Sequence, residues 1–159
     1  LAGVGVEWRR DIGEEPGPPA DRIWRDYERG GPFTDFTGPF YTTREALLPG
    51  ERVRLGFRVG REHCNPRMVC HGGMLATFFD IVLAGGLIAE GAPSPVITIS
   101  MTLDYLAPAY FGEWIESRVE VPRLTHRIGF PQAMLVGPQG PVLRGSGVFK
   151  LQPKRVERA

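Results

Sequence analysis

The most distinctive hydrophobic pattern in the chain is the stretch from Gly72 to Ala89, which has no proline and a single charged side chain, Asp80. Its apolar residues recur on nearly every side of a helix instead of along one stripe, which predicts a helix enclosed by the rest of the domain. At 1.5 Å per residue it would reach about 27 Å, enough to cross a small domain. An ionised carboxylate in dry protein costs several kcal/mol unless it is paired, hydrogen-bonded or neutralised. Asp80 therefore predicts a helix face turned toward a cleft or partner, or a residue that carries out chemistry. The plain alternative is a structural carboxylate that caps a neighbour or reaches solvent at an edge.

Elsewhere the hydrophobic period is two. Val53, Leu55, Phe57 and Val59 alternate with Arg54, Gly56 and Arg58 after the Pro49-Gly50 turn, which predicts a strand with one wet face. Beyond a break at 91–95, residues 96–106 place Ile97, Ile99, Met101, Leu103 and Tyr105 on one parity. Thr98, Ser100, Thr102 and Asp104 take the other. Pro108 and Gly112 bracket a turn into a strand over 113–121 that Pro122 ends; 128–136 and 142–151 follow, joined by Gly137-Pro138-Gln139-Gly140-Pro141. One strand, one buried helix and four strands predict an α+β fold, a twisted antiparallel sheet curled around the helix.

Before the first strand the pattern is weaker. Residues 1–20 are rich in Gly and Pro and predict a loose arm. Residues 21–29 predict a short helix with Ile23, Trp24 and Tyr27 as its apolar stripe, ended by Gly30-Gly31. Phe33, Phe36, Phe40 and Tyr41, set among turn formers in 31–50, predict a loop or short helix. Its rings cover an apolar surface or line the mouth of an acyl pocket. The organisation is an arm over 1–30, one domain over 31–152 and a charged tail over 153–159.

Composition narrows the function. A chain of 159 residues, 42% hydrophobic, can build one core without disulfide or metal. Nineteen Lys and Arg against eighteen Asp and Glu give a net charge of +1 and no reason to expect nucleic acid as a partner. Two cysteines and no signal-like start point to a reducing, cytoplasmic setting, while Leu1 in place of Met leaves the native N-terminus open. The apolar stretch passes a membrane-span length test, but Asp80, four glycines and the strand-rich remainder argue against insertion. His63, Cys64, Cys70 and His71 match no zinc spacing, so no metal is expected.

The pattern Asn65-x5-His71-Gly72-Gly73-x6-Asp80, then Thr98, then Asp104-Tyr105-Leu106-x-Pro108-Ala109-x2-Gly112, resembles the hotdog-fold acyl-CoA thioesterases. The group it resembles within them includes the phenylacetate-pathway thioesterase and thioesterase superfamily member 2; the resemblance covers roughly 39–151. It implies a hotdog fold, with subunits that pair their sheets into dimers or tetramers and active sites between subunits. The implied activity is hydrolysis of acyl-CoA to free CoA and a carboxylic acid, with no cofactor. By the same resemblance Asp80 is the nucleophile or the general base, and the Gly72 amide belongs to the oxyanion hole. Asn65 sits near the substrate carbonyl, and Thr98 orients water or Asp80 across the subunit boundary. His71 and Gly73 support the loop, the His71 ring donating to a carbonyl.

The chemistry is consistent with these roles. Thioester hydrolysis needs an oxygen nucleophile at the carbonyl and donors where charge develops. Without the resemblance, Gly72-Gly73 and Asn65-Pro66 read as turns and Thr98 as an ordinary strand residue. CoA carries phosphates, for which Arg67, Arg123, His126 and Arg127 are candidate contacts, against the alternative of a solvated strand end. Two further readings are a noncatalytic acyl-ligand binding hotdog protein and a thioesterase acting on an acyl carrier protein. The latter calls for a basic docking patch, which a near-neutral chain supports poorly.

Overall fold

The structure, a computed structural model, describes residues 16–152. In chain order these form β1 (Arg25–Asp26), α1 (Gly31–Thr37), β2 (Tyr41–Thr43), β3 (Arg54–Arg58), α2 (Gly72–Ala89), β4 (Val96–Tyr105), β5 (Trp114–Leu124), β6 (Ile128–Gly137) and β7 (Gly140–Leu151). All strands join one seven-stranded antiparallel sheet in the order β1-β2-β3-β5-β6-β7-β4. The sheet wraps α2, whose bounds coincide with the predicted apolar stretch; this is the hotdog arrangement.

The core lies between them. Phe78, Phe79, Val82, Leu83 and Leu87 of α2 are fully buried against Leu55, Phe57, Ile115, Leu135 and Leu143 of the sheet. Helix and sheet approach closely at Gly86, where a Cβ would come within 2.5 Å of Val119 Cγ2. Alanine there would overpack a core with no slack to absorb it.

Several expectations change once distant segments meet. Residues 21–29 contain β1 and no helix, because Arg25 and Asp26 pair with Thr42 and Tyr41. Trp24, expected on a helical stripe, instead packs edge-on against Trp114 at 4.9 Å between ring centroids. The helix begins at Gly31, where Pro32 in the first turn gives up no hydrogen bond. The expected wet face of β3 is dry. Arg54 is 4% exposed and bonds Glu51 at 2.6 Å and Glu116 at 3.1 Å. Arg58 donates to the carbonyls of Pro16, Gly17 and Gly112, so the segment before β1 is strapped across this face.

Pro122 does not end its strand. β5 continues to Leu124, and its register with β6 shifts between Glu120 and Arg123, a stretch that holds Pro122 and, in β6, Pro131. Both prolines thus fall where the ladder is already broken. Of the four rings in 31–50, Phe40 is buried at 3% against Phe57 and Phe78, whereas Phe33 and Phe36 stay 63% and 79% exposed. The start of the expected arm, 1–15, and the expected tail, 153–159, lie outside the described residues.

Candidate active site

The sheet covers only part of α2. Gly73, Ala76, Thr77, Asp80, Ile81 and Ala84 keep partial or full exposure, and their spacing of three and four residues makes them one continuous stripe. Asp80 sits midway along it, so the prediction of a carboxylate turned toward a cleft holds within one chain. A cavity of about 460 Å³ opens there, lined by Phe33 and Thr34 of α1, Ala76, Thr77, Asp80 and Ile81 of α2, and Met101 of β4.

Thr98 reaches this carboxylate directly, its Oγ1 donating to Asp80 Oδ1 at 2.6 Å. The contact lies inside one chain, not across a subunit boundary as expected. A β-bulge makes it possible. Thr98 pairs with Phe149 and Ser100 with Val148, which leaves Ile99 unpaired and reverses the side-chain alternation. Thr98 is thereby turned to the helix side together with Met101 and Leu103, while Ser100, Thr102 and Asp104 keep the outer side.

The second group of predicted residues gathers at the start of α2. His71 is the N-cap, with φ −61° and ψ 137°, and its Nδ1 accepts from the Gly73 N–H at 2.9 Å. The ring therefore accepts from an amide instead of donating to a carbonyl, which in a neutral imidazole leaves the proton on Nε2. Met74 and Leu75 both donate to the His71 carbonyl, at 2.9 and 3.1 Å. Of the orphan amides in the first turn, only that of Gly72 has no hydrogen bond among the described residues. The Gly72 carbonyl is held by the Tyr105 hydroxyl at 2.9 Å, a positioning contact that the strand pattern of β4 gave no means of finding.

Asn65 organises the approach to this helix. Its Oδ1 accepts from the amides of Arg67 at 2.9 Å and Val69 at 3.3 Å, an Asx-type turn that leaves the NH₂ end without a hydrogen bond to the described residues. Met68 takes φ +57° within that turn. His63, 4% exposed, locks the preceding segment: its Nδ1 accepts from the Gly60 amide and its Nε2 donates to the Thr37 carbonyl, each at 2.9 Å. His63 is thus committed to backbone groups.

The candidate CoA contacts do not converge within one chain. Arg67 lies by the start of α2, where Val69 bridges Tyr110 just past the end of β4. Arg123, His126 and Arg127 lie at the other end of β4, since Arg127 accepts from Leu151, the partner of Val96. A larger hollow of about 710 Å³ occupies the outer face of the sheet, between Leu48, Arg118, Met134 and the Arg144–Asp104 pair. It is on the far side of the sheet from Asp80 and contains no carboxylate held by a hydroxyl, so the smaller cavity is the candidate site. Among the described residues no cluster of three His, Cys, Asp or Glu could hold a metal ion. α2 is long and apolar enough to cross a membrane, but half of its span is buried inside the sheet.

Comparison with known proteins bears on the family and the fold. The family model for the thioesterase superfamily matches residues 68–136. The chain is 32% identical over 124 residues to "Putative esterase PA0474" of Pseudomonas aeruginosa, covering 77% of this chain and 90% of that protein. It is 31% identical over 71 residues to human acyl-coenzyme A thioesterase 13, covering 45% of this chain and 50% of that protein. A hypothetical thioesterase from Streptococcus pneumoniae, solved with coenzyme A, has the same fold with a TM-score of 0.65 at 16% identity, covering 77% of this chain and 97% of that one. With its central helix, wrapping sheet and these relatives, the chain belongs to the thioesterase superfamily.

Proposed function

We propose that the protein is an acyl-CoA thioesterase whose reaction centre is completed by a second copy of the chain. The observation that carries this reading is the Asp80 carboxylate held by Thr98 at 2.6 Å on the uncovered stripe of α2. Within one chain the Gly72 amide and Asp80 are eight residues apart on the same helix, about 12 Å along its axis. A carbonyl under attack must lie about 3 Å from both the nucleophile and the oxyanion donor. Each chain therefore offers two half-sites, Asn65 with Gly72 and Asp80 with Thr98.

A two-fold pairing of β4 would join them. β4 ends the sheet, and Ile97 and Ile99 on it are 43% and 58% exposed, the profile of an edge strand that needs a partner. Thr98 marks the Asp80 end of β4 and Tyr105 the Gly72 end. An antiparallel partner centred near Met101 and Thr102 sets each copy's Asp80 opposite the other's Gly72. The same operation brings Arg67 of one copy to the end where the other copy's Arg123, His126 and Arg127 lie, giving the CoA phosphates cationic groups from both chains.

In this site Asp80 attacks the thioester carbonyl as nucleophile, or takes a proton from the water that does. The Gly72 amide, at the positive end of α2, receives the developing oxyanion. The Asn65 NH₂ donates to the carbonyl or the water. When water is the nucleophile, thiolate departure yields CoA and the carboxylic acid directly. When Asp80 is, it releases CoA and leaves a mixed anhydride on Asp80, which a water then hydrolyses to the carboxylic acid and the free carboxylate. Human acyl-coenzyme A thioesterase 13 and the coenzyme A-bound structure support CoA as the carrier.

The test is release of thiol from short, long, branched and aryl acyl-CoAs and from an acylated carrier protein. Asp80→Asn is expected to lower turnover by about a hundred- to ten-thousand-fold with unchanged circular dichroism. A variant that turns over like the parent removes Asp80 from the mechanism. Saturable acyl-CoA binding without thiol release identifies a noncatalytic binder instead.

A further inference from the structure

Cys64 and Cys70 close the turn that carries Asn65 and leads into His71 and Gly72, and they face each other as an isolated antiparallel bridge. The flanking hydrogen bonds define the type of pair. The Asn65 amide donates to the Val69 carbonyl and the His71 amide to the His63 carbonyl, both at 2.8 Å. Cys64 and Cys70 therefore exchange no backbone bonds with each other and form a non-hydrogen-bonded pair. In such a pair the Cα atoms stand about 4.5 Å apart and the side chains leave the ladder on the same side. That separation falls in the range of about 4.4–6.8 Å that disulfides span.

Both residues are thiols in the structure. Cys64 Sγ points to the Gly60 carbonyl at 3.3 Å and Cys70 Sγ to the His71 carbonyl at 3.9 Å. Bond closure requires both side chains to rotate away from these contacts.

We propose that Cys64 and Cys70 form a covalent modification site for low-molecular-weight disulfides, closing to an intrachain disulfide that clamps the turn bearing Asn65 and the start of α2. Cys64, the more exposed of the two, enters first. Its thiolate attacks one sulfur of the small disulfide, forms a mixed disulfide and expels a small thiolate. Cys70 then gives up its proton and attacks the Cys64 sulfur, expelling the second small thiolate. Two protein S–H bonds and one small-molecule S–S bond are exchanged for one protein S–S bond and two small thiols, which carry away both electrons. Burial, with Cys64 nearby, pushes the Cys70 thiol up to about 12, so Cys70 is a poor entry point and the second step is the slow one. Only the consequence for Asn65 and Gly72 as substrate contacts rests on the thioesterase reading.

The experiment incubates the full chain with oxidised glutathione, quenches with acid, and follows intact mass, peptide maps and non-reducing gels. The expected course is a glutathione adduct on Cys64 that decays to a single chain lighter than the reduced protein by two hydrogen atoms. Dithiothreitol should reverse it. The oxidised form is expected to melt higher by on the order of 5 °C, with slower amide exchange at Asn65, Met68 and His71. Cys70→Ser should stall at the adduct, and Cys64→Ser should take up almost no glutathione. A wild-type adduct that persists while the Cys70 thiol remains, or a disulfide formed between chains, overturns the proposal. None of these readouts uses an acyl-CoA, so their failure leaves the thioesterase reading standing, and the converse also holds.

Discussion

At the start of α2, His71 occupies three successive amides: its ring takes Gly73, and its carbonyl takes Met74 and Leu75. What remains is the N–H of Gly72, and a backbone donor can be deleted without touching a side chain. Proline is accepted at the first helical position, and His71 already has the extended conformation that a following proline favours. Gly72→Pro is expected to keep the helix while lowering turnover by about a hundred- to a thousand-fold. Gly72→Ala keeps the amide and sets its Cβ 3.4 Å from the Tyr105 ring, an ordinary contact, so most of the activity should remain. Steady-state kinetics beside circular dichroism separate the two, and a fully active proline variant would remove Gly72 from the oxyanion hole. The residue types proposed for this site came from the family resemblance that the Asn65, His71-Gly72-Gly73 and Asp80 pattern carries, since without it Asn65 and Gly72-Gly73 read as turns. The hydrogen bond from Tyr105 was not legible in the sequence, because nothing local distinguishes an aromatic ring that packs from one whose hydroxyl reaches a carbonyl.

At the scale of elements, two departures from periodicity shape the cavity. In β4 the extra residue at Ile99 carries Thr98 from the outer side to the helix side, and without it the hydroxyl would point away from Asp80. The alternation of β4 gave no warning, since a bulge needs a partner strand to be defined. In α1, Phe33 is 63% exposed yet stands in the wall of the Asp80 cavity, consistent with the aromatic-mouth reading of the sequence. Removing the ring enlarges the space beside the reacting carbonyl. Phe33→Ala is therefore expected to tilt kcat/KM toward bulkier acyl groups by about tenfold relative to short ones. Measurement across an acyl-CoA series decides this, and an unaltered ratio would exclude Phe33 from acyl selection.

At the scale of the whole molecule, the proposed two-fold assembly makes a prediction that no single-chain site shares. Asp80→Asn and Gly72→Pro, each expected to be strongly impaired alone, damage different half-sites. A mixed dimer contains one centre with both lesions and one with neither. Co-refolding equal amounts should therefore restore about a quarter of parental turnover, the share expected from random pairing of a symmetric dimer. A mixture no more active than its components would place both groups in one chain and refute the shared site.

The sequence by itself determined what depends on neighbours along the chain. The bounds of α2, the alternating strands after it and the spacing from Asn65 to Asp80 all follow from local order, where composition and period act within a few turns. Tertiary structure decided whatever depends on residues far apart in sequence. It drew residues 25–26 into a strand beside 41–42, dried the outer face of β3 through Arg54 and Glu116, and turned Thr98 onto Asp80. The physical reason is that a segment of weak local preference takes the conformation whose distant hydrogen bonds and buried surface outweigh that preference, and those partners exist only after the chain has folded.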